Sequence, residues 1–450
     1  MSRAAGCWDG EQAWRNVLAQ PGSRWAAERR SRHWPATAQS RLERAVVLPE
    51  VRPGFRIGPE DRIFTIGSCF ARNIERALLA QGQPVARPVL DIPGLEFRPP
   101  HSLVLLNKFT THSMLNELRW ALAPGAAFPE DSLLEEGEGG WVDPQVVGDV
   151  APAPREVVLA RRPHLRAAFA GAADCGVVVL TLGLVEAWWD AQAGLYLNRA
   201  PGYWTVKRHK GRFELRLLDH AANREALEQV RALLVRHGRP GLRMVVTVSP
   251  VPMSETFTGR DVLVANAYSK ATLRGVAEDF ARAHPDVDYY PSWESVTLSD
   301  RRVAFQEDLH HVSDLIVDLN VRRFVDHYVL GGERPEAAAE TWRHADQRLA
   351  DLSGDLLAEN ARLRAELSQL EARLAALEER RERSLAEGLA LDASGRLVGP
   401  DRRPVPLAGS LEGHAEVGEA GEETLLVSGW AVERREGAPP VTLVAFVGGA

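Results

Sequence analysis

Between residues 51 and 332 the chain alternates two hydrophobic patterns. Short unbroken apolar runs occupy 62–66, 176–182, 242–248 and 287–290, and the middle two are rich in Val, as in Val177-Val178-Val179-Leu180 and Met244-Val245-Val246. Runs of this kind suit strands covered on both faces rather than strands with one wet face. Between them, apolar residues return at helical spacing over 70–82, 103–123, 221–238, 262–284 and 312–328. Strands alternating with helices predict an α/β domain built on a doubly wound parallel sheet. Residues 124–154, rich in Gly, Glu and Pro, predict a loop. Residues 194–217 predict a hairpin inserted after the 176–182 strand, carried by Leu195-Tyr196-Leu197, Tyr203-Trp204-Thr205-Val206-Lys207 and Arg212-Phe213-Glu214-Leu215-Arg216. An insertion leaving the carboxyl edge of a parallel sheet lies beside the usual ligand crevice, so it is expected to shape a substrate cleft.

The flanking regions obey other rules. Residues 1–50 are rich in Arg, Ala and Trp and predict an extension of short helices packed on the main domain, with Trp8, Trp14, Trp25 and Trp34 as packing anchors. Across 340–391, Leu356, Asn360, Leu363, Leu367, Leu370, Leu374 and Leu377 follow alternating spacings of four and three, with Glu and Arg crowding the positions between. That is a heptad seam, and Asn360 falls where a buried polar residue specifies register in a parallel dimer. A homodimer through a coiled coil is the expectation; one amphipathic helix folded back on its own domain is the alternative. From 392 to 450 the pattern changes to that of a partial β domain, with strands predicted at 424–432 and 441–447, too few for a stable sandwich.

Composition narrows the classes. At 450 residues the chain exceeds one ordinary core, so several domains are expected. A net charge of -7 argues against a general nucleic-acid binder. No stretch approaches a membrane span and the N-terminus lacks the apolar core of a signal peptide, which makes the cytoplasm the default compartment. Cys7, Cys69 and Cys175 are scattered without metal-ligand spacing, so neither a disulfide framework nor a metal is expected. No Gly-x-Gly-x-x-Gly follows any strand, and Tyr268, Ser269 and Lys270 are only superficially like a dehydrogenase set; a nicotinamide cofactor is not expected.

Candidate chemistry gathers at two places. Ser68 stands where the 62–66 run reaches Gly67 and hands over to a helix, a junction that holds a hydroxyl on a rigid strand end near the positive end of a helix. Such a serine serves equally as a helix cap or as a nucleophile. Cys69 beside it is a rival nucleophile or a small packing residue. Far along the chain, Asp308-Leu309-His310-His311 sets a carboxylate three residues before a histidine, the relation that lets an acid orient an imidazole.

The order Ser68, then Asp308 and His311 near the end of the domain, is similar to the SGNH/GDSL superfamily of hydrolases and acyltransferases. Within it, Gly67-Ser68-Cys69-Phe70-Ala71 spells the signature of the GSCFA family. The resemblance continues through Thr181-Leu182-Gly183-Leu184-Val185-Glu186-Ala187-Trp188, Ser249-Pro250-Val251-Pro252 and Ala265-Asn266-Ala267-Tyr268-Ser269-Lys270, and spans about 55–325. It implies a flavodoxin-like, SGNH-type sheet and a serine esterase or O-acyltransferase without cofactor. Ser68 would attack an acyl ester, small or carried on a glycan; His311 would move the proton and Asp308 would orient it. His310 is given a loop or capping role because His311 matches the three-residue spacing. The superfamily's Gly-x-Asn is absent after Gly183, where Leu184, Val185 and Glu186 follow. The resemblance therefore leaves the backbone of Ser68, Cys69 and Gly183, or the amide of Asn107, as oxyanion donors. Glu186 is expected to bind a substrate hydroxyl or to pair with Lys270 or Arg72. The competing class is a ligand-binding scaffold without catalysis, dimerised by the coiled coil.

Overall fold

The computed structural model describes residues 37–330 apart from short gaps at 59, 87–91, 93–100, 138 and 148–149. It also describes the helix Gly10–Ala19, a helical stretch at 362–377, four short strands beyond 389 and a few isolated positions. The chain divides into two units, Met1–Asp355 and Leu356–Ala450.

In the first unit β1 (Ile63–Gly67) leads directly into α1 (Cys69–Ala80). Helices α2 (Thr111–Leu122) and α3 (Arg155–Ala170) precede β2 (Val177–Leu182). An antiparallel insert follows, made of β3 (Glu186–Asp190), β4 (Leu195–Tyr196) and β5 (Phe213–Leu217). Then come α4 (His220–His237), β6 (Arg243–Val248), α5 (Val262–Ala283), β7 (Val287–Tyr289) and α6 (Asp314–Val325). The central sheet runs β1-β2-β6-β7, all parallel, with Gly67 level with Thr181 and Leu182 level with Val248. A parallel bridge from Ile63 to Val85 extends it past β1.

Alternation along the strands sorts the core into two layers. Ile66, Leu180 and Val246 meet Met114, Phe169, Leu227 and Phe280 from α2, α3, α4 and α5. Ile63, Val179 and Val245 face the other way, onto Phe70 and Leu78 of α1, Ile316 and Phe324 of α6, and the segment from Ala45 to Ile57. Both sheet faces are therefore dry, which is why the strand signals were unbroken apolar runs.

The β1–α1 junction is held sterically and by charge. A Cβ on Gly67 would lie 1.7 Å from Thr181 Oγ1 and 2.6 Å from the Thr181 carbonyl oxygen, so no other residue fits there. Just past it, Arg72 on α1 donates to the Thr65 carbonyl at 2.7 Å and pairs with Glu75 at 2.5 Å, both side chains being nearly buried. That clamp ties the first turn of the helix to the strand it follows.

Several sequence expectations change in detail. The 103–123 pattern is broken: a 3₁₀ turn, His101–Leu106, is followed by extended residues, and α2 begins only where Thr110 and Ser113 form a reciprocal capping box. The helix α3 was hidden by Pro163 and the pair Arg161-Arg162, yet both arginines are buried in it. The expected loop at 124–154 contains a short hairpin, Leu134–Glu136 with Gly140–Val142. In the insert, Tyr203–Arg208 is a helix and not a strand; β3 is the central strand, flanked by β4 and β5. Trp8, Trp14 and Trp25 are exposed, and among the described residues Ala45, Val46 and Leu48 do the packing; Trp34 lies outside the described residues.

In the second unit, 362–377 is helical, with Leu363, Leu367, Leu370, Leu374 and Leu377 all exposed. Leu356 and Asn360 lie outside the described residues. Leu411–Val417 pairs antiparallel with Val427–Glu433, so the 424–432 strand finds its partner upstream; the run at 441–447 is outside the described residues. Among the described residues no helix is long and apolar enough to cross a membrane.

Replacing Gly67 by Ala should cost about 2–3 kcal/mol or more in urea unfolding. Adding Thr181→Ala should recover only part of the loss, because the Thr181 carbonyl still obstructs the new Cβ. A Gly67→Ala protein as stable as wild type would refute the steric account.

Candidate active site

The carboxyl ends of β1, β2 and β6 open into one cavity of about 400 Å³, where parallel sheets habitually bind ligands. Ser68 and Cys69 enter it from the end of β1, Gly183 and Leu184 from β2, and Ser249 from β6. The insert adds Glu186, Trp188 and Asn198, and His310 and His311 border the same space.

Ser68 caps the helix, one of the two roles its sequence position allowed. Its Oγ accepts from the Phe70 amide at 3.3 Å as the N-cap of α1, and lies 3.1 Å from Ser249 Oγ. Neither imidazole hydrogen-bonds it among the described residues; Ser249 does. Cys69, the first residue of the helix, has its thiol pushed up by burial, partly offset by the amides of Phe70 and Cys69, by Ser68 and by Lys270. Desolvation prevails, which favours the protonated thiol.

The Asp308–His311 turn is a closed local device. Asp308 Oδ1 accepts from the amides of His310 and His311 at 3.0 and 2.9 Å, while Oδ2 meets His311 Nδ1 at 2.5 Å. The His311 hydrogen bond, and then those two amides, hold the Asp308 carboxyl well below the usual carboxylate range. With Nδ1 committed to the carboxylate, Nε2 is the nitrogen left for chemistry. The turn is strained: Leu309 has φ 53, a left-handed conformation unfavourable to a branched side chain, and it stays exposed. The Gln306 amide bonded to the His311 carbonyl at 2.8 Å helps hold it. His310 stacks edge-on to His311 at 5.0 Å. Its proton affinity is lowered mainly by burial, with His311 and Lys270 adding to the effect and Asp308 opposing it.

Lys270 entered the sequence reading as part of a motif and as a possible partner of Glu186; the structure gives it another place. Its side chain is buried on α5, borders the cavity, and donates from Nζ to the Gly183 carbonyl at 2.8 Å. No carboxylate pairs with it among the described residues. Burial lowers its pKa to about 7, with Cys69 weakly opposing. Beside it, Ser269 Oγ accepts from the Val185 amide at 3.1 Å, so two consecutive α5 residues grip the turn after β2. Gly183 must be glycine, since a Cβ would lie 2.6 Å from the Phe109 carbonyl oxygen.

The expected partners of Glu186 are not the observed ones. Thr256 Oγ1 donates to its Oε1 at 2.5 Å and the Phe257 amide to its Oε2 at 3.0 Å, while Arg72 goes to Glu75 and Lys270 to Gly183. Glu186 thus pins the 254–258 loop, a wall of the cavity. Asn107 does not border the cavity; its backbone carbonyl accepts from Asn198 Nδ2 at 2.8 Å and its Oδ1 is buried without a partner.

Asn198, which nothing in the sequence marked, braces the wall instead. It accepts from the Phe109 amide at 2.9 Å and donates to the Asn107 and Gln145 carbonyls. Lys108, fully buried, reaches Gln145 O at 2.6 Å and Glu117 at 3.1 Å; Glu117 and Asp143 in turn hold Arg162 at 3.1 Å each. These bonds fix residues 107–110, whose backbone also meets Gly67 and Leu184 at 2.7 and 2.8 Å.

A serine at the junction of β1 and α1 and the histidines of the turn before α6 thus border one cavity on a parallel α/β sheet. The chain belongs to the GSCFA family, whose model matches residues 62–324. No curated protein and no solved structure matches it significantly. Among the described residues no group of three or more His, Cys, Asp or Glu is arranged to hold a metal ion.

Lys270→Met should stabilise the protein at neutral pH by about 1–4 kcal/mol, as removing buried charge commonly does. The folded chain binds fewer protons than the unfolded one between about pH 7 and the ordinary lysine value of 10.5, so wild-type stability gains from rising pH across that window. The variant lacks this contribution, and its advantage should shrink toward pH 10. Urea melts of both proteins across that range test it; a pH-independent difference would show that Lys270 is not the titrating group.

Proposed function

We propose that the chain is a serine-dependent esterase or O-acyltransferase of SGNH type, acting on acyl esters, including O-acetyl groups of carbohydrates. The observation that carries the reading is the convergence of Ser68 and the Asp308-oriented His311 on one cavity. Ser68 Oγ attacks the acyl carbonyl as His311 Nε2 takes its proton, and the proton is returned to the departing alcohol. Water or an acceptor hydroxyl then releases the acyl group by the reverse sequence. In the resting arrangement the Ser68 hydroxyl is engaged with Ser249, so it must turn toward His311 when the ester enters; catalytic hydrogen bonds often tighten only in the substrate complex. The amides of Cys69, at the helix start, and Gly183 supply the oxyanion contact. Carbohydrate is suggested by Trp188 on the cavity wall, edge-on to Phe257 at 5.2 Å, and by the exposed pair Tyr203 and Trp204.

The Ser68–Ser249 contact also favours a second reading, a scaffold that binds a ligand without turning it over. A fluorophosphonate probe separates the two. Labelling should occur in the wild type, vanish in Ser68→Ala and fall at least about 100-fold in His311→Ala. Absence of labelling in folded wild type would remove the catalytic reading, and labelling lost only in Cys69→Ala would move the nucleophile by one residue.

We also propose that 340–391 pairs with a second copy as a parallel coiled coil. The exposed leucines at 363, 367, 370, 374 and 377 keep the spacing of such a seam. Leu367→Lys with Leu370→Lys should halve the sedimentation mass, and an unchanged mass would reject the pairing.

A further inference from the structure

Three observations converge on one residue. The turn after β2 lacks a carboxamide: Leu184, Val185 and Glu186 follow Gly183, and Glu186 is occupied with Thr256 and Phe257. The Asn107 amide does not border the cavity. At that same turn a lysine is held instead, its Nζ fully buried, bordering the cavity with Ser68 and bonded to the Gly183 carbonyl. A buried lysine with no carboxylate partner is costly, and such a cost is retained where the group has work to do.

We propose that Lys270 is a catalytic residue, the cationic donor that stabilises the oxyanion formed when Ser68 attacks the acyl ester. The inference rests on the serine-hydrolase reading above and deepens it. One Nζ–H stays on the Gly183 carbonyl, which fixes the ammonium in place, and the others face the cavity. As the Ser68 Oγ–carbon bond forms, the carbonyl π pair moves to oxygen and the Ser68 proton passes to His311. The new O⁻ is held by the ammonium without receiving its proton. When the tetrahedral species collapses, the pair returns to the carbonyl, the ester C–O bond breaks, and the alcohol leaves with the proton from His311. A charged donor in a desolvated site stabilises such an anion more than an amide does.

The titratable groups facing Lys270 are Cys69 from α1 and His310 from the Asp308 turn; Glu186 of β3 borders the same cavity. Cys69 stays protonated and so does not neutralise the ammonium. The lysine itself, brought down to about 7 by burial, loses its charge just above neutrality.

The test compares wild type, Lys270→Met and Lys270→Arg for p-nitrophenyl acetate hydrolysis and for the rate of fluorophosphonate labelling at Ser68, each as a function of pH. Lys270→Met should lower kcat and the labelling rate by about 100-fold or more, as loss of an oxyanion donor does, with KM changed far less. Wild-type kcat should decline above about pH 7, and that alkaline limb should be absent in Lys270→Met and moved beyond the measurable range in Lys270→Arg. A purely structural lysine would not move the limb. Equal rates with the limb intact in Lys270→Met would overturn the inference and leave the hydrolase reading standing. Wild type that is never labelled at Ser68 would instead bring down the hydrolase reading, and the inference with it.

Discussion

The contact between Gly67 and Thr181 is the constraint on which the rest of the site depends. Two strand ends approach so closely there that a Cβ would overlap the Thr181 side chain. The chain can therefore turn sharply out of β1 and present Ser68 at the mouth of the sheet instead of in its core. From the same point the Gly67 carbonyl accepts the Lys108 amide, so residues 107–110 are tied to the strand end. A second glycine, Gly183, lets the Phe109 carbonyl approach the end of β2. Backbone proximity at two glycines sets the distance between Ser68, the turn after β2 and the cavity wall.

Around that frame the protein uses buried charge in two different ways. Lys108, Glu117, Arg162 and Asp143 form a paired network in which each ion has an opposite partner, and burial there specifies one arrangement of the 107–110 segment and α2. Burial alone would raise the Glu117 pKa, yet Arg162 and Lys108 hold it down; burial pushes the Lys108 ammonium down as well, with Glu117 opposing. Among the described residues Lys270 has no such partner and donates only to the Gly183 carbonyl. The contrast sets charge satisfied within the protein beside a charge held by a neutral backbone oxygen at the edge of the cavity.

The parallel sheet, its helices on both faces and the Ser68, Asp308 and His311 positions were legible in the sequence. Unbroken apolar runs require two dry faces, and the glycine–serine junction and the Asp-x-x-His spacing are local relations that need no tertiary information. Elements disguised by local chemistry were not. Pro163 and two arginines masked α3, in which Arg162 is offset by ion pairs to Glu117 and Asp143 from distant segments. Tyr203–Arg208 has strand-like composition but folds as a helix. The tryptophans near the N-terminus looked like anchors, yet residues 45–57 supply the packing.

Sequence by itself determined the class of this protein, because hydrophobic period and short-range spacing are encoded within a few residues of one another. Tertiary structure alone decided which groups share the cavity. Glu186 could be matched by charge to Lys270 or Arg72, but only the folded chain commits it to Thr256 and Phe257. Asn107 was the amide the sequence offered, yet the fold leaves it off the cavity and makes the unmarked Asn198 a brace of the wall. Lys270 belongs to the site only because α5 packs its apolar face against the sheet and carries the ammonium to the carbonyl of Gly183, a relation across 87 residues. Desolvation, which gives that lysine its character, is a property of the packed interior and has no counterpart in the linear order of residues.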